Sequence, residues 1–174
     1  MIETRIAGFE LKEAEPVDVP IILSFIRQLG QYERLSHEVV ATEEVLRENL
    51  FNSRRVAEVI VGYYHEEPVG FALFFHSFST FLGRPGIYLE DLYVKPEMRR
   101  KGFGQAMLSY VAKVAKERHC GRFEWSVLDW NEPAIEFYRK LGATPMADWT
   151  VWRMTGDPLN HLASRSEKSG PGRR

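Results

Sequence analysis

A chain of 174 residues with 44% apolar composition has enough material to bury a proper core as one compact domain. Its formal net charge of −1 excludes the basic excess of a general nucleic-acid or membrane-surface binder. No apolar run approaches the ~18 residues of a membrane helix, Met1-Ile2-Glu3-Thr4 shows no secretory leader, and Cys120 is the sole cysteine, so a cytoplasmic location is expected.

Residues 1–8 read as a lead-in, and Phe9 to Glu15 alternates as a half-buried strand. Asp18 can cap a helix whose first turn accepts Pro20 and whose buried face is Val19, Ile22, Phe25, Ile26 and Leu29, broken at Gly30. Thr42 caps a second helix through Leu50, with Glu43 and Glu44 at its positive end. Strands are predicted over Val56–Tyr63 and Val69–Phe78, joined by a hairpin turn at His65-Glu66-Glu67-Pro68. Ser77 to Gly86 reads as a loop, and 87–94 as a strand that Pro96 ends. From Phe103 the apolar positions take helical spacing. Arg122–Val127 is a further strand. Asn131 caps a helix with Pro133 in its first turn and Gly142 as its stop, and Trp149–Thr155 is a final strand. The sequence therefore predicts one domain over 1–162 and a disordered tail over 163–174, where Arg165, Lys168, Arg173 and Arg174 face only Glu167. That leaves an acidic body, a charge that mildly favours cationic substrates, although a solvated acidic surface is its commoner meaning.

The chain is organised around Tyr88 to Met107, a strand, a basic glycine-bearing turn and a helix. Gly102 and Gly104 sit where the helix opens, where backbone N–H groups lack intrahelical partners and the dipole is positive. Glycines let a phosphate approach those amides, and Arg99, Arg100 and Lys101 add charge beside them. A Rossmann loop would need a third glycine and a Walker loop would end in Gly-Lys-Ser/Thr; neither is present. What stands is Arg-x-x-Gly-x-Gly, Arg99 to Gly104, which as a basic glycine turn could also be only a turn.

That motif resembles the acyl-CoA pyrophosphate loop of the GNAT acetyltransferase superfamily, and a second GNAT signature follows in order: Asn131-x-x-Ala134-x-x-Phe137-Tyr138-x-x-x-Gly142. Tyr-Leu-Glu-Asp at 88–91, Trp-Asn-Glu-Pro at 130–133 and Tyr-Glu at 32–33 resemble the spermidine/spermine (diamine) and thialysine N-acetyltransferases. The resemblance covers roughly residues 9–155. Phe78 to Gly83 lies nearer the thialysine-type and bacterial members than the spermidine/spermine form. It implies an α/β (α+β) GNAT fold, a mixed, mostly antiparallel sheet splayed at the acetyl-CoA site and flanked by about four helices. It also implies acetyl-CoA as cosubstrate, no metal, and a homodimer in which both chains line each amine site.

The resemblance also assigns roles to particular residues. Arg99, Arg100, Lys101, Gly102, Phe103, Gly104 and Gln105 form the pyrophosphate loop. Backbone amides of Leu92, Tyr93 and Val94, at a bulge in the splayed strand, hold the pantetheine arm and the thioester oxygen. Asn131, Pro133, Ala134 and Tyr138 complete the cofactor side, and Tyr138 protonates the leaving thiolate. Tyr32, Glu33, Glu90, Asp91 and Trp125 bind the amine, within an acidic wall that also includes Glu38, Glu43, Glu44 and Glu48. Glu90 is the candidate base, or an amine anchor, and Asp91, its neighbour on a strand, is expected to point to the opposite face. The five histidines, His37, His65, His76, His119 and His161, show no metal-ligand spacing. Cys120 beside His119 reads as a half-buried thiol and not as a nucleophile, since helix neighbours do not face each other. The reaction expected is direct acetyl transfer to a polyamine, a diamine or a lysine-like amine such as thialysine. The alternatives are another amine class, a protein N-terminus or an aminoglycoside, and a CoA-sensing module without turnover.

Overall fold

A computed structural model describes residues 1–166 of the chain. The chain forms two compact units, Met1–Ser126 and the segment from Val127 onward. The first unit is built on a six-stranded sheet in the order β1 (Ile2–Glu3), β2 (Phe9–Glu13), β3 (Glu58–Tyr64), β4 (Glu67–Ser79), β5 (Arg84–Val94) and β6 (Phe123–Trp125). Every neighbouring pair is antiparallel except β5 and β6, which run parallel. The mixed, mostly antiparallel sheet expected from the sequence is therefore present.

Two helices cover one face, α1 (Val19–Tyr32) and α2 (Glu43–Phe51). Ile22, Phe25 and Leu50 meet Val59, Val61, Phe71 and Tyr93 there in one buried cluster. The other face belongs to α3 (Phe103–Glu117), whose Phe103 stacks on Phe9 at 4.2 Å between ring centres. Gly62 and Gly70 sit in register, and a side chain at either would press against Met107 of α3.

Several local expectations change. Asp18 does not cap α1 with its side chain; it closes the preceding turn by accepting from Glu15 N (2.8 Å) and Lys12 Nζ (3.0 Å). Gly30 does not break the helix, which runs on to Tyr32; a side chain at Gly30 would meet Val39. The β3–β4 turn is only His65-Glu66, both at positive φ (48° and 68°), as a tight primed hairpin turn requires. The stretch 77–86, expected as a loop, is mostly hairpin: β4 and β5 pair out to Ser79 and Arg84.

In the second unit, Asn131 Oδ1 accepts from Ala134 N at 3.4 Å to cap α4 (Glu132–Lys140), and Gly142 at φ 88° follows its end. The strand expected over Trp149–Thr155 does not form; these residues join no ladder, and Trp149, Val151 and Trp152 are 71–90% exposed. A helix the sequence did not predict, α5, spans Gly156–Ser164, so residues 163 and 164 of the expected tail are helical. Residues 167–174 lie outside the described residues. The described residues thus carry five α-helices where about four were expected.

Candidate active site

β5 carries the feature that shapes the site. Its register with β4 slips by one: Leu73 lies opposite Asp91 and Phe74 opposite Leu89, leaving Glu90 as a surplus residue. This is a β-bulge. It sits at Glu90, upstream of the Leu92–Val94 position expected from the sequence. Immediately there β6 also stops: its pairing ends at Leu89–Trp125, and β5 continues to Val94 with no strand partner on that side among the described residues. The splay of the sheet is the stretch 90–94.

The bulge resets which way side chains face. Phe71, Leu73 and Phe75 pack against the α1–α2 cluster, and their register partners are Tyr93, Asp91 and Tyr88. Partners in register share a face. Asp91 therefore points toward α1 and α2 with Tyr93, while Leu89, opposite Phe74, is on the α3 side. In an unbroken strand Leu89, Asp91 and Tyr93 would share one face. Glu90 itself is exposed.

Asp91 is the most perturbed carboxyl group of the site. Burial, then the charges of Glu90 and Glu33, push its pKa up to about 7. Glu33 caps the C-terminal end of α1 and is itself raised by burial. The structure thus brings three of the predicted amine-binding residues, Glu33, Glu90 and Asp91, to one place. The rest of the acidic wall behaves differently: Glu38 pairs with His37 and Glu43 with Arg47. Trp125 is opposite Leu89 in register, on the α3 face of the sheet, and packs edge-on to Phe123. Tyr88 meets Ser126 Oγ at 2.7 Å.

The basic loop has the backbone of an anion cradle. Arg100 (φ 64°) and Gly102 (φ 86°) both adopt the left-handed conformation just before α3. That turn places the first-turn amides of Phe103, Gly104 and Gln105, unpartnered within the helix, at its mouth. A side chain at Gly104 would find only Val94 Cγ2, at 3.7 Å, so the approach to these amides is open on that side. The fit to a pyrophosphate is good. Among the side chains, Arg100 and Gln105 are exposed, while Phe103 is buried in the core and can offer only its backbone. Lys101 reaches back over the Tyr64 ring (5.4 Å). Arg99 Nε donates to Val94 O at 3.0 Å, and its guanidinium lies 4.2 Å from the Tyr32 ring centre.

Tyr93 is buried and its hydroxyl donates to Gln28 of α1 at 3.0 Å, while its backbone faces Phe71 of β4, so of the three residues expected at the splayed edge only Leu92 and Val94 turn their amides to it. In the second unit Asn131, Pro133, Ala134 and Tyr138 occur on and around the first turns of α4, and the Tyr138 ring is 5.2 Å from that of Phe137. Cys120 is half-buried, and burial raises its thiol pKa, which suits a packed side chain and not a nucleophile. The sequence reading missed the placement of Asp91. One signal was available: two consecutive polar residues, Glu90-Asp91, interrupt an otherwise apolar strand, where a bulge is the usual way to keep both neighbours in register.

The Acetyltransferase (GNAT) family profile matches residues 26–143. A thialysine N-epsilon-acetyltransferase from Sus scrofa is 39% identical, with 91% of this chain and 99% of the relative covered. An L-ornithine N5-acetyltransferase from Arabidopsis thaliana is 34% identical over 87% of this chain and 86% of its own length. Among solved structures, an integron cassette protein from the mobile metagenome of V. cholerae superposes with a TM-score of 0.76 at 25% identity, covering 90% of this chain and 98% of its own. The match spans most of both signature segments, and the chain is an N-acetyltransferase of the GNAT family.

Proposed function

We propose that this enzyme transfers acetyl from acetyl-CoA to the terminal primary amine of a small, lysine-like cation, with thialysine- or ornithine-type amines preferred to polyamines. The observation that carries the reading is the carboxylate group Glu33, Glu90 and Asp91 at the splayed edge of β5, beside the anion-binding turn. The relatives' names favour a side-chain amine on an amino-acid frame; the spermidine/spermine N(1)-acetyltransferase-like protein of Homo sapiens is 25% identical, and the match spans only 25% of its length.

A lysine-like amine has a pKa of about 10.4, so at pH 7 roughly one molecule in a few thousand is neutral. Something must take the proton, and Asp91, with a pKa of about 7, is poised to do so at neutral pH. Glu90 and Glu33 supply the negative field that draws the cation in. The neutral nitrogen attacks the thioester carbonyl, and the amides of Leu92 and Val94, which face away from β4 at the edge where β6 has ended, donate to the oxygen as it gains charge. The new C–N bond forms as the C–S bond breaks, and Tyr138 gives its proton to the departing thiolate. An ordinary phenol, with a pKa of about 10, lies close enough to an ordinary thiol at about 8.5 for such a transfer. The pyrophosphate is held by the amides of Phe103, Gly104 and Gln105 with Arg100 and Lys101 beside them, and Asn131, Pro133 and Ala134 take the pantetheine arm. Tyr32 completes the amine site, whereas Trp125, expected there from the sequence, lies on the opposite, α3 face of the sheet because it pairs with Leu89 and not with Asp91. The enzyme works as a cytoplasmic homodimer, as the resemblance to the amine N-acetyltransferases implies.

The deciding experiment is an amine panel: thialysine, lysine, ornithine, putrescine, spermidine, spermine, an aminoglycoside and a protein N-terminal peptide, read by CoA thiol release. The highest kcat/KM should fall among the first three. Polyamines or aminoglycosides in first place would overturn the substrate assignment, and acetyl-CoA binding without turnover of any amine would favour a sensing module.

A further inference from the structure

We infer that Arg99 is a positioning residue that couples the cofactor loop to the amine-binding end of α1, through its stacking on Tyr32. The inference rests on the acetyl-transfer reading, but it assigns Arg99 a job other than holding phosphate.

The geometry is specific. Arg99 is the first residue of the basic loop, and its side chain is engaged by β5 and α1. Nε donates to the carbonyl of Val94, the last residue of β5, at 3.0 Å. The guanidinium plane then lies over the ring of Tyr32, 4.2 Å from its centre, with the Tyr93 ring 5.9 Å away. Tyr32 is the last residue of α1, and the next residue, Glu33, belongs to the carboxylate group around Asp91. One side chain therefore ties the splayed end of β5, the start of the anion loop and the C-terminal end of α1. A guanidinium suits this place better than an ammonium, because it donates in a fixed plane and stacks on aromatic faces at the same time.

The consequence follows from the connection. When the loop orders around a pyrophosphate, Arg99 is held at Val94 and Tyr32, and the α1 terminus carrying Glu33 is held with it. Acetyl-CoA and amine should therefore bind with positive coupling. Loss of one cation–π contact should reduce that coupling roughly threefold to thirtyfold.

The test uses the full chain and two readouts. The first is hydrogen–deuterium exchange with and without saturating acetyl-CoA, which needs no amine. In the wild type, acetyl-CoA should slow exchange both at 99–106 and at 28–35. In Arg99→Lys and Tyr32→Leu the protection at 99–106 should persist while that at 28–35 is lost, and Tyr32→Phe, which keeps the ring, should retain it. The second readout is kinetic: in Arg99→Lys and Tyr32→Leu the KM of the amine should rise with a smaller change in kcat, and the double variant should be no worse than the worse single. Protection at 28–35 that is absent in the wild type, or that survives in Tyr32→Leu, would overturn the inference. So would additive effects in the double variant, which mark Arg99 as a plain phosphate ligand. A wild type that shows the coupled protection but acetylates no amine would sink the proposed function and leave the coupling standing.

Discussion

Replacing Asp91 by Asn tests the site through stability as well as turnover. In the folded protein the Asp91 carboxyl titrates at about 7, against an ordinary value of 3.8. Between those two values the native state holds a proton that the unfolded chain has released, so wild-type stability falls as pH rises through this window and is level above it. The gap of about three pH units corresponds to at most ~4 kcal/mol. Asp91 keeps some contact with water, and screening reduces that to ~1–2 kcal/mol. Asn has the same shape and no charge. Asp91→Asn should therefore match the wild type near pH 4 and melt about 3–6 °C higher at pH 8, while losing most of its activity. The assay is a melting series from pH 4 to pH 8 beside kcat/KM for the preferred amine. Glu90→Gln provides the internal control: removing one neighbouring charge should move the acid limb of the wild-type pH–rate profile downward without abolishing turnover. A melting offset for Asp91→Asn that is the same at pH 4 and pH 8 would refute the reasoning, because Asp91 would then be an ordinary carboxylate.

Two further outcomes are expected. Gly104→Ala should leave the melting temperature unchanged or slightly higher, since its new methyl has only an ordinary contact at 3.7 Å, yet raise the KM for acetyl-CoA about tenfold or more by obstructing the phosphate; an unchanged KM would remove the loop from the cofactor site. Tyr138→Phe should lower kcat by ~10²–10⁴ with little change in the KM for acetyl-CoA, and wild-type kcat under chemistry-limited conditions would remove the acid role.

What was legible in the sequence was local. The turn Arg99–Gly104, the Thr42 and Asn131 caps and the Gly142 stop depend on a few neighbouring residues, and each occurs where expected. Trp149–Thr155 shows the limit of that logic: its alternation describes a strand's two faces, but a strand also needs an edge to pair with, and the alternation does not supply one. Helix α5 carries Gly156, Pro158 and Asn160, which are poor helix formers, so its sequence gives little helical signal, although a proline in the first turn is compatible with a helix. The position of the bulge was hidden for a different reason. It is a property of the pairing between β4 and β5, so neither strand alone reveals which residue is surplus. Glu90 and Asp91 could thus be named as a pair, while which sheet face Asp91 takes could not be read from the strand alone.

The surplus residue at Glu90 gives the strand something like a reading frame. A substitution there changes one exposed side chain and leaves the pairing alone. Deleting it would let β5 close into an unbroken ladder, at the price of moving one flank of the strand across the sheet. If the half from Asp91 to Val94 shifted, the Tyr93 hydroxyl would leave Gln28, and Asp91 would be carried away from Glu33 toward α3. If the other half shifted, Leu89 would leave Phe74 and the β6 pairing would be lost with it. The spacing between Tyr88 and Tyr93 is therefore under a stricter constraint than the identities of the residues between them. The charge at the bulge can change in this strand as long as the count is kept.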